Sequence, residues 1–167
     1  MPTIESLNDL CIDQLRDLYN AENQLTKALP KMANAANTPD LRQAFEDHLA
    51  QTEGHVHRLE QVFEHLGEKP SGKVCRAMQG LVAEGEEAIQ QDGDPVIKDA
   101  ALIAAAQRVE HYEIAGYGTV RNFAKILGEN EVADILTQTL DEEADADKTL
   151  TSIAEKSING QAAQVRS

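Results

Sequence analysis

Apolar residues recur at a spacing near 3.6 along almost the whole chain, and that rhythm predicts helices packed on helices. Val, Ile, Leu, Met and Ala carry it, while aromatics make up only 4% and Trp is absent, a palette suited to helix–helix rather than sheet–sheet packing. With 167 residues, the chain has the length of a single domain with a real core.

The breaks in the rhythm mark the helices. Helix A is predicted from Ile4 to Asn34 on a stripe that includes Leu7, Cys11, Leu18, Leu25, Leu29 and Met32, with Pro30 expected to kink or shorten its last turn. Thr38-Pro39-Asp40 reads as an N-cap with proline at the first helical position, opening helix B, which Gly67 closes. Residues 68–95 form a crossover with proline and glycine at both ends and a short helix around Met78, Leu81, Val82 and Ile89. Helix C follows from Val96 to Leu127, with Gly128 as its C′ residue. Helix D starts near Val132 and ends at Asn159-Gly160, and residues 161–167 read as a polar tail outside a domain of residues 1–160. Short A–B and C–D turns require antiparallel hairpins, whereas the long B–C connection can run the length of the molecule. The expected fold is all-α: a ferritin-like antiparallel four-helix bundle whose crossover carries a short fifth helix.

Each helix breaks its own apolar stripe with polar groups. Helix A inserts Glu22, helix B His48, Thr52 and His55, helix C Glu110 and Glu113, and helix D Glu143 and Asp147. Counted from the A–B turn, Glu22 lies about 14 residues back and Thr52 to His55 about 16–19 forward, a difference of about one turn. Glu113 and Glu143 match similarly across the C–D turn, so the polar groups share one level. Buried carboxylates cannot sit together ionised without compensation, and a cation supplies it. Carboxylates with one or two imidazoles suit iron or manganese, with zinc as a further option. The plainer alternative is a hydrogen-bonded polar layer that specifies the register of the bundle. His57, His65 and His111 fall off the stripes and read as solvated, His111 having a further option beside Glu110. Tyr19, Tyr112 and Tyr117 read as partly buried aromatics with hydrogen-bonded hydroxyls.

Charge narrows the partners. A formal net charge of −14 without a Lys/Arg run disfavours nucleic acid and anionic membranes. No signal-like or spanning segment stands in the sequence, which predicts a cytoplasmic protein. Cys11 and Cys75 lack metal or redox spacing and read as reduced structural thiols.

Four segments carry a family resemblance: Leu18-Tyr19-Asn20-Ala21-Glu22-Asn23-Gln24-Leu25, His48-Leu49-Ala50-Gln51-Thr52-Glu53-Gly54-His55-Val56, Val109-Glu110-His111-Tyr112-Glu113-Ile114, and Leu140-Asp141-Glu142-Glu143 with Asp147. Together they resemble the YciF family of bacterial ferritin-like proteins, over nearly the whole chain to about residue 158. The resemblance implies a cytoplasmic, homodimeric ferritin-like bundle linked to stress. Beside the similar rubrerythrin pattern, Glu22 matches the helix A ligand and Glu110-x-x-Glu113 the helix C pair. Helices B and D depart from its Glu-x-x-His spacing: Val56 follows Glu53, Thr52 precedes His55, and Ala146 follows Glu143 with Asp147 one further. His48, Thr52 and Glu53 remain alternatives for the missing helix B ligand. The predicted metal set is Glu22, His55, Glu110, Glu113, Glu143 and Asp147, as one or two Fe or Mn positions. Two functions fit: an iron- or manganese-dependent protein acting on peroxide or oxygen, or a non-enzymatic stress protein with a metal-free polar layer.

Overall fold

The computed structural model describes residues 3–165. Its helices are α1 (Leu7–Ala35), α2 (Pro39–Leu66), α3 (Arg76–Gln90), α4 (Pro95–Leu127), α5 (Asn130–Ile153) and α6 (Asn159–Ala162), with a π-helical turn at Ala154–Ile158 before α6. Local chemistry sets most ends. Ser6 Oγ accepts the Asp9 amide at 3.0 Å, and Asp94 accepts the Val96 amide at 2.9 Å ahead of Pro95. Gly67 and Gly128 stop α2 and α4 in the left-handed region, with φ 68° and 83°.

The α1–α2 turn is secured from elsewhere. Thr38 makes no side-chain cap; instead the buried Asp99 carboxylate of α4 accepts the Asn37 and Thr38 amides, both at 2.8 Å. Three boundaries differ from expectation: α1 starts at Leu7, behind the Ser6 cap, rather than at Ile4. Helix α1 runs through Pro30 to Ala35, because Leu29, Met32 and Ala33 are buried and hold its last turn against the core. Beyond α5 the chain stays helical past Gly160, and the π turn rotates the face enough to bury Ile158. The polar tail is therefore shorter than expected, and its residues 166–167, like residues 1–2, lie outside the described residues.

Helix α1 packs on α2 and α4 on α5, while α1–α4 and α2–α5 contacts close the square; α3 covers the α1–α4 side. The core is divided. One apolar cluster holds Leu25, Leu29, Phe45, Leu102 and Leu150, and the other holds Leu15, Leu18, Leu59, Val120 and Leu136. On every long helix the chain passes from one cluster to the other through the polar residues. Among the described residues, no helix is long and apolar enough to cross a membrane.

Candidate metal centre

The layer between the clusters contains Glu22, His48, Thr52, His55, Glu110, Glu113 and Glu143, none more than 5% exposed. Their donor atoms fall into two groups that share Glu143: His48, Glu110, Glu113 and Glu143, and Glu22, His55 and Glu143, with the atoms of each group within 4.8 Å of one another. Glu143 turns one oxygen to each imidazole. Its Oε1 is 2.9 Å from His55 Nδ1, and its Oε2 is 3.5 Å from His48 Nε2. Glu22 Oε1 adds a contact of 3.3 Å to His55 Nδ1, and Glu110 Oε1 one of 3.2 Å to His48 Nε2. The inner face of each ring thus looks onto two carboxylates.

The outer ring nitrogens are held by protein. His55 Nε2 lies 2.9 Å from Glu142 Oε2, and Arg58 donates to both Glu142 oxygens, at 2.8 and 2.7 Å. His48 Nδ1 lies 3.2 Å from Gln51 Oε1. With an N–H on each outer nitrogen, the inner lone pairs point into the layer, the arrangement that orients metal-ligating imidazoles. Tyr117, fully buried rather than partly so, donates its hydroxyl to Glu22 Oε1 at 2.5 Å and leaves Oε2 free.

The inner atoms are left over. Glu22 Oε2, Glu110 Oε2, both oxygens of Glu113 and of Glu143, Thr52 Oγ1, His48 Nε2 and His55 Nδ1 have no hydrogen-bond partner among the described residues; the imidazole–carboxylate approaches are at ion-pair distance but out of hydrogen-bonding alignment. Buried polar atoms are almost always satisfied, so such a concentration in one layer is unusual. Burial, with Glu143, Glu22 and Glu110 nearby, pushes the Glu113 carboxyl well above the ordinary range. Burial also pushes Glu143 up to about 8, against the opposing pull of His55. For the imidazoles burial acts downward, but Glu110 and Glu143 outweigh it and lift His48 to about 9, while Glu143 and Glu22 lift His55 to about 10. Without a cation the layer retains protons; the same donor set can hold a metal ion.

A family described as a domain of unknown function (DUF892) matches residues 6–163. The chain is also 44% identical over 160 residues to Protein YciF of Escherichia coli strain K12, which covers 95% of this chain and 96% of that protein. The chain belongs to the YciF family. The crystal structure of the E. coli stress protein YciF matches it with a TM-score of 0.90 at 44% identity, covering 93% of this chain and 99% of that one. YcfI from Rhodopseudomonas palustris matches with a TM-score of 0.88 at 46% identity, covering 90% and 96%. A Xanthomonas campestris protein of 19% identity, with a TM-score of 0.75 over 95% and 98% of the chains, shares the fold.

In this YciF-family chain, Glu22, His55, Glu110, Glu113 and Glu143 come together, and Asp147 does not join them. Asp147 accepts from Gln107 Nε2 at 3.0 Å and faces His111 Nε2 at 3.3 Å, because four residues on a helix overshoot a full turn by roughly 40° and carry it to the stripe's edge. His111 is accordingly a partner of Asp147 rather than of Glu110. Of the alternatives on α2, His48 occupies the layer, Glu53 is exposed, and Thr52 is buried with an unpartnered hydroxyl. Sequence reasoning overlooked Glu142, Arg58 and Gln51. Spacings of three residues from His48 to Gln51 and from His55 to Arg58 were the available signals, since such pairs share a helix face.

Proposed function

We infer that the chain is a metalloprotein whose layer would hold up to two divalent cations, iron or manganese, with Glu143 contributing to both positions. The observation that carries this is the double orphaning of Glu143: each oxygen faces a different imidazole and neither makes a hydrogen bond. The charge balance agrees. Glu22, Glu110, Glu113 and Glu143, when ionised, carry four negative charges, which two divalent cations cancel while both imidazoles stay neutral. One position takes Glu22, His55 and Glu143; the other takes His48, Glu110, Glu113 and Glu143. Hard carboxylate oxygens with one imidazole each suit Fe or Mn better than a thiolate-seeking ion.

Bound ferrous ions would together supply the two electrons that, with two protons, take dioxygen to hydrogen peroxide or hydrogen peroxide to water. The chain's own part is preorganisation. Gln51 and the Glu142–Arg58 pair fix the ring orientations, Tyr117 fixes Glu22, and the two apolar clusters flank the layer above and below. Family resemblance supports a homodimer in addition, which a monomeric mass by light scattering at micromolar concentration would contradict.

A second reading, a metal-free polar layer in a non-enzymatic stress protein, has one observation in its favour: each imidazole already has carboxylates at ion-pair distance. Metal analysis of protein purified without chelator separates the two. About two Fe or Mn per chain, with a Tm lowered by chelation and restored by metal, supports the first reading. A folded, metal-free protein whose melt is unmoved by Fe(II) or Mn(II) supports the second.

A further inference from the structure

Two cavities, one apolar and one mixed, reach the same edge of the polar layer. One, of about 180 Å³, lies between α2 and α5 and has a mixed wall, with Asp47, Gln51, Asp145 and Thr149 beside Phe45 and Leu150, and it includes His48 and Glu110. The other, of about 30 Å³, lies beneath α3 and is walled by Leu25, Leu29, Met32, Val82, Ile89 and Ala106; it too includes His48 and Glu110. At its outer end Lys31 pairs with Glu86 at 2.6 Å.

The wider cavity, with Asp47, Gln51, Asp145 and Thr149 on its wall, already offers water, protons, cations and hydrogen peroxide hydrogen-bonding and charged groups on the way in. The apolar cavity serves none of these, because a polar solute stripped of its hydrogen bonds pays roughly 2–7 kcal/mol to enter. It suits a small apolar molecule. Roughly 10–15 Å³ holds one water-sized species, so the space accepts a diatomic molecule, and larger enclosed apolar cavities in proteins take up gases such as xenon. His48 and Glu110, which line it, belong to the proposed metal-binding set, and His48 Nε2 and Glu110 Oε2 are without hydrogen-bond partners among the described residues.

We propose that the apolar cavity beneath α3 is a dioxygen-binding site that delivers dioxygen to the His48–Glu110 side of the layer. Delivery to a metal rests on the metal-centre reading above; occupancy by a small apolar molecule does not. The other metal position is reached by neither cavity, since neither is lined by Glu22 or His55. Gly85 supplies a way to close the cavity. It lies on the wall, and a Cβ there would meet Met32 Sδ at 3.7 Å, an ordinary contact, so the side chain of Gly85→Leu would extend into the space. Gly80 lies on the same helix with nothing within 4 Å of a Cβ, which makes Gly80→Leu the control.

Xenon, an apolar probe needing no metal, is added under pressure to the chelated full-length protein while the methyl resonances of Leu25, Leu29, Met32, Val82 and Ile89 are followed. The expected result is a saturable shift confined to those methyls, lost in Gly85→Leu and kept in Gly80→Leu. In protein loaded with Fe(II), Gly85→Leu should slow oxidation by dioxygen by about tenfold and leave oxidation by hydrogen peroxide and the Fe(II) stoichiometry unchanged. Should Gly85→Leu not fold, Ala28→Leu at the α1 rim of the cavity takes its place. Metal uptake by the parent without a xenon shift overturns the cavity proposal alone, as does equal slowing with both oxidants. Xenon binding without metal uptake overturns the metal-centre reading, and with it delivery to a metal.

Discussion

Glu143 stands between two imidazoles, and its value to the protein should reverse with metal. With cations bound it is a shared anionic ligand, so Glu143→Gln should weaken Fe(II) or Mn(II) binding by at least about tenfold, roughly 1.4 kcal/mol, by calorimetric titration. Without metal its carboxyl is pushed up to about 8, so the folded state resists its ionisation. Chelated Glu143→Gln should therefore melt no lower than the chelated parent, with its advantage growing as pH rises from about 4.5 to about 8 and level above that; a loss of more than about 2 kcal/mol would instead mark Glu143 as part of a structural network. His48 and His55 are also shifted upward, but for a base that shift stabilises the folded state. Their folded values, about 9 and 10, exceed the ordinary 6.5, so their stabilising contribution is complete below pH 6.5 and disappears as pH rises through 9 to 10. Chelated protein should thus have a higher Tm at pH 6.5 than at pH 10, and metal binding should release protons and strengthen as pH rises, as paired-buffer calorimetry would reveal. Glu142→Gln, which removes the charge behind His55 while keeping the shape, should cost about 10–100-fold in metal affinity in the same titration.

Along α4 two glycines predict opposite outcomes. Gly116 faces α1, where an added Cβ would come within 2.7 Å of Leu18 Cδ2, in a side chain only 2% exposed. Gly118 has nothing within 4 Å. Gly118→Ala should gain about 1 kcal/mol from helix propensity, whereas Gly116→Ala should lose about 1 kcal/mol net because buried Leu18 must move, both read from urea midpoints. The elements themselves were legible because their punctuation is local: Pro39 and Pro95 at helix starts, Gly67 and Gly128 at ends. What the pattern could not reveal is held by distant partners. Asp99 is an unremarkable acid in the sequence, yet it fastens a turn more than 60 positions away, by hydrogen bonds with sequence separations of 62 and 61. Asp147 misled for the converse reason, since stripe membership says which side of a helix a residue shares but not whether it reaches the middle.

At the scale of the whole molecule, the two hairpins contribute unequally to the layer. The α1–α2 hairpin brings both imidazoles and one carboxylate, Glu22; the α4–α5 hairpin brings Glu110, Glu113 and Glu143 and no imidazole. Neither half carries a complete set of donors. An ion held in either position would therefore act as a rivet through a seam, and the seam would close or loosen as a unit. Removing the ion leaves each hairpin's own turn and ladder intact while releasing one half from the other, so hydrogen exchange after chelation should quicken first at the facing amides of the two hairpins and later within each helix.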